Sequence, residues 1–236
     1  MTDLPVHYLE LESVYAKTVG KGVRTLAVTS ANSGEGVSML SYALVRRGAA
    51  AGLQCVLIDF NMHRPWVCAH MRTQPRTWLP ADGSVHQALI ETEHQGLFLV
   101  GAPAPGHNTI SFRDPDRLRR TFTEDLADFD LIVCDTSAVN AVNHSNIPAE
   151  SIAAPCDAAL MVVLAGRTSE VAITSALEKL NHAGVNLVGT VFNDQFNPPL
   201  ADELCRELDR MRRVAPRLVD GIKRRIRRNP LFRVQI

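Results

Sequence analysis

The sequence predicts an α/β fold: a doubly wound, mostly parallel sheet with helices on both faces. Three observations predict it. Short β-rich runs are continuously apolar, as strands covered on both faces must be. Longer amphipathic stretches separate them, giving a βαβα rhythm. The 236 residues, 46% hydrophobic and 21% charged, suffice for one sizeable core.

The expected strands are 25–30 (TLAVTS), 55–60 (CVLIDF), 97–102 (LFLVGA), 131–136 (LIVCDT), 158–164 (AALMVVL) and 187–193 (LVGTVFN). Helix-like stretches occupy 38–52, 84–92, 114–127, 169–183 and 199–213, with Gly52 and Gly184 where C-terminal caps belong. Residues 1–21 are expected to form a helical extension packed on the outside of a domain spanning 22–215. Residues 62–83 are expected to be an irregular loop, and 216–236 a basic tail.

Composition limits the setting. No apolar run approaches the ~20 residues that cross a bilayer. The opening MTDLPVHYLELE has no basic region followed by an apolar one, so no signal peptide is expected. Five widely spaced cysteines (Cys55, Cys68, Cys134, Cys156, Cys205) suggest a reducing cytoplasm without disulfides. His63, Cys68 and His70 lie close in sequence, but without a second cluster they do not make a zinc site. The net charge of zero conceals an asymmetry. From Arg206 to Ile236 eleven basic residues face three acidic ones, a net of +8. That end is suited to an anionic lipid surface or an acidic partner, with no motif that would read nucleic acid bases.

The stretch Thr29 to Leu40, TSANSGEGVSML, follows the first strand and has the form of a phosphate-binding turn. Such a turn aims backbone N–H groups at phosphate, and the following helix N-terminus adds positive potential. A lysine normally reaches the outer phosphates, and the next Ser or Thr holds magnesium. Here the lysine position is Val37 and the hydroxyl is Ser38. Two more strands end in carboxylates: VLIDFNMHRP at Asp59, with Arg64-Pro65 beyond, and FDLIVCDTSAV at Asp135. Ligands of doubly wound sheets sit at the carboxyl ends of strands, so Ser38, Asp59 and Asp135 are expected to converge on one magnesium site.

The ordered set VTSANSGEG–S, VLIDFN–RP, DLIVCDT and ALMVVLAGRT resembles the bacterial tyrosine kinases of capsule and exopolysaccharide export, within the MinD/ParA group of P-loop ATPases. In that family the segments run Ser-Ala-x-Pro-Gly-Glu-Gly-Lys-Ser-Thr, Asp-x-Asp-x-Arg-x-Pro and Asp-Thr-Pro-Pro. The resemblance covers roughly residues 22–195. It implies a P-loop NTPase-like fold that binds ATP or ADP with Mg2+ through Gly34, Glu35, Gly36, Val37, Ser38 and Met39. It further implies Asn193, ending GTVFND, as an adenine contact, and catalysis through Asp59 and Asp135 in an active member. The implied setting is cytoplasmic and peripheral at the inner membrane. The implied partner is a membrane co-polymerase or a polysaccharide synthase or export subunit, with a homo-oligomer left open.

The departures point away from catalysis. Val37 replaces the loop lysine, Met39 the threonine and Asn61 the second carboxylate, while Thr136-Ser137-Ala138 stands for Thr-Pro-Pro. The tyrosines are Tyr8, Tyr15 and Tyr42, none in a C-terminal cluster, and LELESVYAK does not match the oligomer motif Glu-x-x-Arg-x-x-Arg. Lys17, Lys21 and Arg24 are the cations that the sequence offers as substitutes. The expectation is a degenerate, regulatory or structural subunit with nucleotide binding weakened or lost. The rivals are an active tyrosine kinase or ATPase with a rewired site, and a MinD/ParA-like positioning ATPase for cellulose secretion or pilus assembly.

Overall fold

The computed structural model describes residues 4–103, 109–141 and 146–195, with positions 208, 222, 223 and 226. The chain divides into a compact unit, Met1–Asn193, and a second, Asp194–Ile236. This division differs from the sequence-based boundaries at 21/22 and 215/216. Nearly all of the expected helix 199–213 and of the basic tail lies outside the described residues.

The first unit is built on seven strands: β1 (Thr25–Ser30), β2 (Cys55–Asp59), β3 (Leu89–Glu91), β4 (Leu97–Val100), β5 (Leu131–Asp135), β6 (Ala158–Leu164) and β7 (Leu187–Asn193). Their spatial order is β3-β4-β2-β5-β1-β6-β7, and only the β3–β4 pair is antiparallel. β1, β2, β5 and β6 are buried along their whole length, which explains their uninterrupted apolar sequences. The edge strand β7 alternates between half-buried and exposed.

Helices cover both faces. On one, α1 (Leu9–Lys17), α2 (Val37–Ala50) and α3 (Trp66–Met71) pack Leu11, Leu40, Leu44 and Val67 onto Leu26, Val28, Leu57 and Val133. The other carries α4 (Val85–Ala88), α5 (Pro115–Arg120) and α6 (Ala149–Ala153), which pack Val85, Leu118 and Ile152 onto Val56, Ile58 and Ile132. There too α7 (Glu170–His182) buries Ala176 and Leu180 against Met161 and Val163. The N-terminal helix joins this body: Glu12 and Arg47 pair across α1 and α2, and the Arg47 guanidinium lies 4.6 Å from the centre of the Tyr15 ring.

Three expectations change in detail. Residues 84–92 form a four-residue helix followed by the edge strand β3, because Gly96, at φ 75°, closes a turn that pairs 89–91 with β4. The stretch 62–83 contains α3, begun at Pro65. The helix at 114–127 is α5, capped by Asp114 and continued by a wide π turn, Thr121–Asp125. Arg24 explains that widening. Its guanidinium donates to the carbonyls of Phe122, Leu126 and Phe129 at 3.0, 2.6 and 2.9 Å. Arg24 thus ties down the amino end of the sheet and is not a substitute for the loop lysine. Lys17, which ends α1, and Lys21 also precede β1 in the chain, whereas the phosphate turn follows it.

Candidate nucleotide site

Parallel pairing sends β1, β2 and β5 out at one edge of the sheet, so the segments that follow them meet. The backbone stitches them together. Val139 and Asn140 donate to the carbonyls of Ser30 and Ala31 at 2.9 and 3.1 Å, Thr29 bonds the Ser137 carbonyl, and Phe60 donates to that of Asp135 at 2.8 Å.

The turn between β1 and α2 uses its glycines for geometry. Gly34 and Gly36 have φ of 85° and 104°, a region costly to any residue with a Cβ. At Gly36 space is also closed, since a Cβ would stand 2.6 Å from the Asn193 side-chain nitrogen. That nitrogen donates to the Glu35 carbonyl at 3.0 Å. Asn193, the expected adenine contact, therefore bonds the turn itself.

Glu35 is the turn's internal anchor. Its side chain is buried and accepts from the Ala31 N–H at 3.1 Å, the Asn32 side chain at 3.3 Å and the Thr168 hydroxyl at 2.6 Å. Thr168 itself accepts from the Leu164 N–H at 3.0 Å, which ties the turn to the end of β6. With the carboxylate turned inward, the N–H groups of Gly34, Gly36, Val37 and Ser38 have no acceptor among the described residues. That cradle fits a phosphate.

Val37 begins α2 at 9% exposure and belongs to the same apolar cluster as Leu26, Val28 and Leu40. A valine there packs and cannot supply charge. Met39, half-buried, flanks Gly36.

The carboxylates behave differently from each other. Asp59 and Asp135 are opposite one another across β2 and β5, and both are fully buried. Asp59 accepts from the N–H groups of Asn61 and Val67 at 2.8 and 3.0 Å. Burial nevertheless pushes its pKa up to about 6. Neither Asp135 oxygen has a hydrogen-bond partner. Burial, and secondarily the Asp59 charge, hold its pKa well above the usual carboxylate range. The Ser38 hydroxyl opposes that shift without completing a hydrogen bond.

An orphaned buried carboxylate facing a hydroxyl fits a divalent cation. Among the described residues no group of three or more His, Cys, Asp or Glu side chains could hold a metal unaided. A magnesium ion would thus depend on Ser38, Asp135 and phosphate oxygens, with Asp59 contributing charge. Bound there, it would neutralise phosphate charge. His70 stacks on Trp66 at 4.4 Å.

Over the turn lies a cleft of about 240 Å³, lined by Ser33, Asn61, His63, Arg64, Ser137 and Asn146. The Asn61 carboxamide accepts from the Arg64 N–H at 3.1 Å and shapes its wall.

No family model matches the chain. The tyrosine-protein kinase CpsD of Streptococcus pneumoniae is 26% identical over 185 residues, covering 74% of this chain and 77% of that protein. The chain is homologous to the bacterial tyrosine kinases of capsule and exopolysaccharide biosynthesis. The fold agrees. The kinase domain of the Escherichia coli tyrosine kinase ETK superposes with a TM-score of 0.64 at 17% identity, over 82% of this chain and 81% of that one. The septum site-determining protein MinD of Pyrococcus horikoshii, solved with Mg-ADP, gives 0.58 at 14%, over 74% and 71%. The seven-stranded sheet is thus that of the P-loop NTPase-like kinase domains.

With Asp59 and Pro65 aligned to Asp-x-Asp-x-Arg-x-Pro, the family arginine falls on His63, and Arg64 stands one place beyond. Sequence reasoning quoted Ser33 and Thr168 without giving them a role, and it passed over Asn146. Only the fold brings Thr168 and Asn146 to the site.

Proposed function

We propose that this tyrosine kinase-family domain is a degenerate, regulatory or structural subunit of a capsule or exopolysaccharide synthesis or export complex. One observation carries the reading: Val37 occupies the position of the phosphate-binding lysine and is packed into the core. Phosphoryl transfer rests almost wholly on positioning and charge, so this loss falls on catalysis more heavily than on binding. Nucleotide, held by the turn's backbone and Ser38, is bound weakly. The partner is a membrane co-polymerase or synthase subunit, and the basic segment 216–236 holds the protein against it or against anionic lipid. Among the described residues no helix is long and apolar enough to cross a membrane.

A producing bacterium tests this. Deleting the gene should reduce polysaccharide output or alter its chain length, while an Asp135→Asn chain expressed at the natural level should restore both. Failure of that variant, folded and present at normal abundance, would show that the role needs chemistry at Asp135.

A further inference from the structure

The cleft above the phosphate turn has a one-sided charge. Arg64 and His63 line it, the remaining polar lining is Ser33, Asn61, Ser137 and Asn146, and no described carboxylate faces it. Position 61 decides this balance, because an aspartate there would set a negative charge beside Arg64. Asn61 instead turns its Oδ1 back onto the Arg64 N–H at 3.1 Å. The Arg64 side chain is exposed and forms no hydrogen bond or ion pair among the described residues. A guanidinium with an uncommitted planar fork suits phosphate oxygens, and it stays charged at any physiological pH. Ser33, on the turn whose amides lack acceptors, lines the same cleft.

We propose that this cleft is a phosphate-type oxyanion site in which Arg64 supplies the positive charge that Val37 cannot. The proposal rests on the reading of the turn as a nucleotide cradle. It adds that the cation has moved from the start of α2 to the segment after β2. His63 contributes a second nitrogen donor, and Ser33 brings a hydroxyl from the turn to the same lining. The cleft suits the outer phosphates of a nucleotide or a free pyrophosphate. An uncharged nucleoside offers it nothing.

Calorimetric titration of the full chain with ADP, inorganic pyrophosphate, inorganic phosphate and adenosine, with magnesium at low ionic strength, tests this. The wild type should bind ADP and pyrophosphate and not adenosine. Binding of pyrophosphate more tightly than ADP identifies the free anion as the natural source, and the reverse identifies the nucleotide. Arg64→Gln should weaken both by about tenfold or more, the loss expected for one charge-assisted hydrogen bond. Val37→Lys should recover affinity in the Arg64→Gln background. Unchanged anion binding by Arg64→Gln, no recovery in the double variant, or no anion binding by the wild type would each overturn the proposal. Turnover of ATP by the wild type would instead sink the degenerate reading and leave the cleft in place.

Discussion

The Thr168 hydroxyl donates a 2.6 Å hydrogen bond to the buried carboxylate of Glu35, joining the end of β6 to a turn 133 residues earlier. The same oxygen accepts from the Leu164 N–H, so one hydroxyl serves both segments. Thr168→Val keeps the shape and removes both bonds. Hydrogen bonds to charged groups contribute about 1.5–3 kcal/mol, so the midpoint of urea unfolding should fall correspondingly. A change under about 0.5 kcal/mol would show that the turn is held elsewhere.

Gly36 and Gly34 form a matched pair. Both have positive φ, but a Cβ at Gly36 meets Asn193 at 2.6 Å, whereas one at Gly34 meets nothing within 4 Å. Gly34→Ala should cost about 1–2 kcal/mol from backbone strain alone. Gly36→Ala should cost more and displace Asn193 from the Glu35 carbonyl. Equal losses in thermal melts would contradict that packing.

The buried carboxylates make stability depend on pH. Folding raises the pKa of Asp59 from 3.8 to about 6 and holds that of Asp135 well above the usual carboxylate range. Between the unfolded and folded values the native state binds more protons than the unfolded one. Stability from this pair is therefore full below about pH 4 and is lost as pH rises through 6 and beyond. Asp135→Asn should raise the melting temperature of the ligand-free chain at pH 8 and flatten its fall between pH 5 and 8. It should also abolish any stabilisation by Mg2+. A variant less stable than wild type at pH 8 would refute the buried-charge assignment.

Val37→Lys restores the family charge at a packed position. ATP affinity should rise by about tenfold or more through a charge-assisted bond, while thermal stability falls because an apolar core contact is lost. Unchanged affinity by calorimetry would contradict the reading of the turn as a phosphate cradle.

The sequence made the sheet legible because strands buried on both faces have no polar alternation to disguise them. β3 was hidden by its length: Leu89, Ile90 and Glu91 are too few to show a period, and only Gly96 marks the turn beyond. Asp59, Asp135 and Ser38 were legible because each sits where a strand ends or a helix begins, and parallel pairing does the rest. The Glu35–Thr168 bond was not, since local pattern carries no information across 133 residues. The role of Arg24 was hidden for the same reason, as its three carbonyl partners lie about a hundred residues away.

The central claim is that the nucleotide fold survives without the chemistry. Incubating the purified full chain with γ-labelled ATP and Mg2+, with phosphotyrosine and released phosphate followed together, tests it most directly. The account predicts neither label on Tyr8, Tyr15 or Tyr42 nor phosphate release above the protein-free rate. Tyrosine phosphate or ATP hydrolysis that disappears in Asp135→Ala would contradict it.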